Sequence, residues 1–315
     1  MKISGFTLAK NTSKLYYPIA ESIRSILPIV DEFVVALGDC DADDTTEQLI
    51  RGIGSDKVKI VHTVWDIVKY PRGMENAHQT DIAKNACTGD WLFYLQADEV
   101  IHEQYLDRIY QRCQKRLDDH RVEGFLFGYK HFWGDYDHYC DHHGWYPHEI
   151  RIIRNHPDIH SYISAQSFRR IPDFDGLSYR QKKGTYKLNV EKLDAEVYHY
   201  GWVRPPSYMQ QKAKSLDTIH KGTAAMDEAY RKKAPVYDYG NMNLYRRFQG
   251  THPKVMEEFV RRFDWADQLH FEKNYQPQRE PIKQERLKNR ILTWIEQNVL
   301  GGRQLMGYSN WNIIR

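Results

Sequence analysis

The sequence predicts an α/β fold: a doubly wound, mostly parallel, Rossmann-like sheet with an appended helical C-terminal region. Two observations carry this. Over the first hundred residues, strand-like and helix-like periodicities alternate four times, the pattern of a parallel sheet with helices on both faces. From about residue 205 the apolar spacing turns mostly helical and the charge basic. The expected division is 1–204, made of halves 1–100 and 101–204, followed by 205–315.

Lys2 to Leu8 (KISGFTL) is expected as the first strand. Asn11, Thr12 and Ser13 offer caps for a helix carrying Leu15, Ile19, Ile23 and Ile26, with Pro18 tolerated near its first turn. Glu32 to Leu37 (EFVVAL) is a second strand, followed by the acidic turn GDCDADD and a helix over about 45–53. Val58 to Val64 forms the third strand; a helix over about 75–87 stops at Gly89, and Trp91 to Gln96 is the fourth, interior strand. Beyond it lie a helix after Glu99 to about Leu117, a long strand over 122–133, the polar aromatic loop WGDYDHYCDHHGWYPHE, and a strand from Glu149 to Asn155. Residues 157–190 are poorly patterned, and YKLNVEKLDAEVYHYGWV returns to extended structure. The stretches YMQQKAKSLDTIHKG, HPKVMEEFVRRFDW and KQERLKNRILTWIEQNVL are expected as helices.

No run of about 18 apolar residues occurs, and MKISGFTLAKN is too polar for a signal peptide, so a cytoplasmic protein is expected. Cys40, Cys87, Cys113 and Cys140 show no CxxC spacing and are expected as reduced thiols. The net charge of +3 hides an asymmetry. Residues 1–200 hold 25 Lys+Arg against 30 Asp+Glu, whereas 201–315 hold 20 against 12. That basic third suits peripheral contact with an anionic membrane at its inner face, or a phosphate-bearing acceptor; solvated helix faces explain it equally well. No groove-reading motif points to nucleic acid.

In doubly wound sheets ligands bind beyond the carboxyl ends of the strands. Those ends are Thr7–Asn11, Gly38–Asp44 and Gln96–Glu99, and DWLFYLQADEV shows a buried strand running into two acids. Asp98 would share this edge with Asp39, Asp41, Asp43 and Asp44, an accumulation that a divalent ion holding a diphosphate relieves. A polar start to the next helix is the plainer reading. There is no GxGxxG after the first strand, no GxxxxGK[ST], and Gln96 stands where an aspartyl-nucleophile phosphatase wants Asp.

Together SGFTLAKN, DEFVVALGDCDADDTTEQL, AKNACTGDW, LFYLQADE and HYGWVRPPSYMQQK resemble a family 2 glycosyltransferase of GT-A fold, in particular the bacterial polysaccharide or lipopolysaccharide type. The resemblance covers about residues 2–215 and is strongest over the first hundred. It implies inverting transfer of a sugar from a nucleoside diphosphate sugar, most simply UDP-linked, to a glycan or lipid-linked acceptor. The first hundred residues would then be the nucleotide-sugar half and 101–204 the acceptor half. Carried over by position, Thr7 and Asp39 would meet base or ribose, with Asn11 beside them, and Gln79 and Lys84 would face the donor. Asp98 would ligate Mn2+ or Mg2+. Gln96 replaces the first acid of the family's DxD motif; its amide still bonds ribose hydroxyls, at the cost of one charge toward the cation.

His199 is a second metal candidate, or else a packed core histidine. Seven histidines between 131 and 160 (His131, His138, His142, His143, His148, His156, His160) invite a zinc reading, but their irregular spacing among Tyr and Trp favours an acceptor wall with Trp133, Trp145 and Tyr146 as stacking platforms. Inversion needs a base. Glu149, between WYPH and IRII, fits a carboxylate lifted toward neutrality by burial, unless it is spent on Arg151 or Arg154. Asp135, Asp137 and Asp141 are alternatives, and Arg151 and Arg154 are candidates for acceptor phosphate. The rival reading is a nucleotide-sugar or glycan-binding protein without turnover, motivated by Gln96.

Overall fold

The computed structural model describes residues 1–305, 307 and 309–314. Its strands are β1 (Ile3–Ala9), β2 (Glu32–Leu37), β3 (Val58–His62), β4 (Trp91–Tyr94), β5 (Glu99–Ile101), β6 (Gly124–Trp133), β7 (His138–Cys140), β8 (His148–Arg154), β9 (Ile159–Tyr162), β10 (Ser167–Arg170), β11 (Leu188–Trp202), β12 (Arg246–Arg247) and β13 (Trp311–Ile313). Its α-helices are α1 (Ile19–Ile26), α2 (Thr46–Arg51), α3 (Met74–Asn85), α4 (Leu106–Lys115), α5 (Pro206–Lys221), α6 (Thr223–Arg231), α7 (Glu257–Arg261) and α8 (Leu287–Asn298).

Among the described residues eleven strands form one sheet. Its first part runs β3-β2-β1-β4, all parallel. The continuous apolar runs of β2 and β4 follow from burial on both faces: Phe33, Val35, Trp91 and Phe93 pack with Ile19 and Ile23 of α1 and Ile109 of α4, whereas Val34, Ala36, Leu92 and Tyr94 pack with Ala83 of α3. Beyond β4 the sheet is mixed, which corrects the mostly parallel expectation. β8 is antiparallel to both β4 and β6, and β6 is antiparallel to β7. The links between β6, β7 and β8 are too short for the crossover that a parallel pair requires.

Three local differences bear on the site. Helix α1 begins at Ile19, after Pro18, because Thr12 and Ser13 cap nothing: Thr12 Oγ1 bonds Thr46 Oγ1 at 2.9 Å and Ser13 Oγ donates to Asp44. Residues 100–101, expected as the start of a helix, instead join Glu99 in β5 against Val197–His199 of β11, and α4 starts only at Leu106. The unpatterned segment 157–190 contains the β9–β10 pair. The C-terminal region is helical in part, and Met209, Tyr239, Met242, Met256 and Trp265 build an aromatic-rich core with Trp133, Tyr136 and Tyr200. Among the described residues no helix is long and apolar enough to cross a membrane.

Candidate functional site

In the order β3-β2-β1-β4 the chain builds outward from β1 in one direction and then returns to its other side, so the topological switch lies between β1 and β4. A cavity of about 710 Å³ opens there. Residues 8–12 line it from the end of β1, Tyr94 and Gln96 to Asp98 from the end of β4, His199 and Trp202 from β11, and Lys212 to His220 in part from α5. Helix α5 is well defined as a cover: Pro206 takes its first position and Gly222, at φ +91°, ends it. Asn11 sits in the left-handed region at φ +52°, a conformation Asn tolerates, and its Oδ1 accepts from the Asp41 amide at 2.8 Å.

Asp98 is the charge centre of the cavity. Its Oδ2 accepts from Lys212 Nζ at 2.9 Å and lies 4.0 Å from Arg204 Nη2, while its Oδ1 lies 3.7 Å from His199 Nε2. All four side chains are buried. Burial opposes the charge on Asp98, but the Lys212 and Arg204 cations hold the carboxyl well below its usual range. Burial lowers Lys212 to about 8, with Arg204 pushing the same way and Asp98 opposing, so it is cationic at neutral pH. One carboxylate against two cations leaves this region net positive, suited to an anion. Arg204 also keeps Nε and Nη2 buried without a hydrogen-bond partner, a costly state that an arriving acceptor oxygen would relieve.

The neighbouring histidines have a fixed tautomer. His199 of β11 pairs in register with His131 of β6, which brings their Nδ1 atoms to 2.8 Å. His131 Nε2 faces the Tyr146 carbonyl at 2.8 Å and must donate to it. His131 Nδ1 is then the acceptor, His199 Nδ1–H the donor, and His199 Nε2 carries a bare lone pair. Burial keeps both rings neutral, lowering His131 to about 3 and His199 to about 4. Thus an imidazole lone pair and a carboxylate oxygen face each other with no proton between them. Gly201 preserves this space, since a Cβ there would lie 2.4 Å from His199 Nε2 and 3.0 Å from Asp98 Oδ2.

The pair fits two positions of a Mg2+ or Mn2+ shell completed by water and phosphate oxygens. Lys212 and Arg204 oppose a bare cation there, so the ion fits together with a diphosphate rather than before it. Among the described residues no group of three or more His, Cys, Asp or Glu could hold a metal unaided.

The other residues singled out from sequence divide into three sets. Asn11, Gln96, Asp98, Tyr146 and His199 line the cavity, with Gln96 Nε2 donating to the Ala165 carbonyl at 3.0 Å. Asp39 stands at the rim, accepting from Lys10 Nζ at 2.8 Å and the Trp65 amide at 2.9 Å; Lys10 and Trp65 are themselves lining residues. The remaining residues lie behind the walls. Thr7 is buried in β1, Gln79 donates to Glu75, and Lys84 is buried on α3. Trp133 stacks on lining Trp202 at 4.7 Å, and Trp145 meets both edge-on.

Arg151 is fully buried and forks onto Glu99 at 2.7 and 2.8 Å, so its guanidinium does not face an acceptor. Arg154 donates to the carbonyls of Arg116, Leu117, Asp119 and Val122. Glu149 is buried beneath the 163–167 segment, where Gln166 Nε2 approaches it at 3.4 Å; it does not line the cavity, and burial lifts its carboxyl to about 7.

The acidic turn does not converge on Asp98: Asp41 and Asp43 pair with Lys14, and Asp44 caps α2 through the Thr46 amide. The loop histidines also disperse, His138 to Asp135, His143 to Glu296 and His160 to Asp81. Sequence pattern alone does not mark Lys212, Arg204, Trp202 or Trp65 as lining or charging this cavity. For the first three, the only signal was their place in HYGWVRPPSYMQQK.

No family model matches the chain. Over 108 residues, 34% of its length, it is 29% identical to an uncharacterized glycosyltransferase of Rickettsia felis and equally to one of Rickettsia conorii. The chain spans about a third of the length of these relatives. Among solved structures it is similar to S. aureus TarS 1-349 in complex with UDP-GlcNAc (15% identity, TM-score 0.38, 73% of this chain and 70% of that one). It is also similar to glucosyl-3-phosphoglycerate synthase from Mycobacterium tuberculosis in complex with Mn2+, UDP and phosphoglyceric acid (19% identity, TM-score 0.28, 42% and 43%).

Proposed function

We propose that the protein is an inverting glycosyltransferase of the GT-A, family 2 type, moving a sugar from a nucleoside diphosphate sugar, UDP-linked in the simplest case, to a glycan or lipid-linked acceptor in cell-surface polysaccharide synthesis. The observation that carries this reading is the buried group of Asp98, Lys212, Arg204 and His199 at the switch point of the sheet. It offers fixed positive charge for a diphosphate and two acceptors for a cation. In the proposed complex Lys212 and Arg204 bind diphosphate oxygens, and Asn11, Asp39 and Trp65 meet the nucleoside. Mn2+ or Mg2+ held by Asp98 and His199 would neutralise the leaving diphosphate. The acceptor oxygen bonds the anomeric carbon as the bond to diphosphate breaks, and the hydroxyl proton passes to a carboxylate. Glu149, with a carboxyl near 7, is our candidate base, a role that requires the 163–167 segment to open.

One observation favours the rival reading of a binding protein without turnover: Asp98 is the sole carboxylate among the described cavity-lining residues, and it is already paired. Calorimetric titration with UDP, GDP and TDP, each with and without Mn2+, followed by hydrolysis of the corresponding nucleotide sugars, separates the two. Selective UDP binding with slow, Asp98-dependent hydrolysis is expected. Binding without turnover of any donor, even with an acceptor panel, would favour the rival, and no nucleotide binding would remove both.

A further inference from the structure

Helix α8 is seated the wrong way round for a core helix. Its polar side faces the protein: Thr293 Oγ1 accepts from the His143 amide at 2.9 Å, Glu296 is 1% exposed and bonds His143 Nδ1 at 2.7 Å, and Gln297 Nε2 donates to the Asp141 carbonyl. Its apolar side faces out. Leu287, Ile291 and Trp294, at spacings of four and three, are 70%, 52% and 61% exposed, and Val299 follows at 64%. An amphipathic helix ordinarily buries that stripe.

The rim of the stripe has one sign of charge. Between residues 283 and 303 the exposed charged side chains are Lys283, Arg286, Lys288, Arg290 and Arg303. The two acids of this stretch are already taken, Glu285 by Arg279 and Glu296 by His143. We propose that α8 docks the protein peripherally on an anionic lipid surface, its Leu287–Ile291–Trp294 stripe entering the headgroup boundary while the basic rim meets lipid phosphates. Charge selects this occupant. A second copy would bring one cationic rim against another, whereas an anionic bilayer offers apolar depth and opposite charge together. Helix α8 also holds residues 141–143 of the loop that continues to cavity-lining Tyr146, which connects the docked face to the cavity wall. On the transferase reading, a lipid-linked acceptor would be presented from that side.

The test is co-flotation of the full chain with vesicles of phosphatidylcholine, with and without phosphatidylglycerol. Binding is expected only with phosphatidylglycerol, weakening as salt is raised. Ile291→Glu with Trp294→Glu, and separately Lys288→Glu with Arg290→Glu, are each expected to reduce partitioning at least about tenfold while leaving the unfolding midpoint and UDP binding unchanged. Hydrogen exchange on the unmutated chain provides a readout independent of any variant: amides of 287–300 should gain protection with phosphatidylglycerol vesicles. Absence of flotation, equal flotation on both vesicle types, undiminished flotation of the variants, or unprotected α8 amides would each overturn the proposal. A concentration-dependent dimer abolished by Trp294→Glu would assign the face to a second copy instead. The flotation assay needs no nucleotide, so its failure leaves the transferase reading standing, and the reverse holds.

Discussion

Replacing Glu149 by Gln should make the protein's stability less dependent on pH. In the folded chain burial raises this carboxyl from 4.5 to about 7. Between those values the native state keeps a proton that the unfolded chain has released, so stability falls as pH rises. Below the unfolded value both states are protonated and the group costs nothing. Above pH 7 the penalty is complete, about 3 kcal/mol at roughly 1.36 kcal/mol per pKa unit. For a chain of this length that corresponds to about 5 °C in midpoint, using an unfolding entropy of about 2.1 cal/mol/K per residue. Glutamine keeps the shape and cannot ionise. The measurement is thermal or urea unfolding of both proteins from pH 5 to pH 8.5. The difference between them should grow by about 2.5 kcal/mol in favour of the variant across this range, the rest being already present at pH 5. A difference that stays constant would mean that Glu149 is not a buried, late-titrating carboxyl, and the proposed base would lose its physical basis.

Lys212→Met strands Asp98 in the interior and should cost about 3–5 kcal/mol of stability, together with at least a tenfold loss of UDP affinity by calorimetry; unchanged affinity would remove Lys212 from the anion site. Arg151→Met leaves Glu99 buried and unpaired, a similar loss of about 3–5 kcal/mol. Nucleotide affinity of the folded fraction should not change, and a selective acceptor defect without destabilisation would restore Arg151 to the acceptor. His131→Phe removes the acceptor that fixes His199, so the Mn2+-linked part of UDP affinity should fall about 10- to 100-fold while metal-free UDP binding holds. Equal losses with and without Mn2+ would reduce His131 to a packing role.

Local patterns were legible where local rules decide. β2 begins and ends where EFVVAL does, because an apolar run bounded by Asp31 and Gly38 has few alternatives. The cavity at the carboxyl ends of β1 and β4 followed from strand–helix alternation alone. What failed to show was long-range. Residues 100–101 have helix-compatible character, and only β11, about a hundred residues on, makes them a strand. Arg151 looked like a surface phosphate binder because its partner Glu99 is 52 residues away. Lys212 sits among other basic residues on a helix; nothing in its neighbours distinguishes the one that turns inward to Asp98.

The Asp98–Lys212 contact spans 114 residues, and this has a consequence for biogenesis. A nascent chain has the parallel strands β1 to β4 in hand well before α5 leaves the ribosome. Until then the aspartate at the strand tip lacks its lysine counter-ion, and the pocket has no roof. Competence to hold an anion therefore arrives late and abruptly, with the emergence of α5 rather than with the strands that carry Asp98.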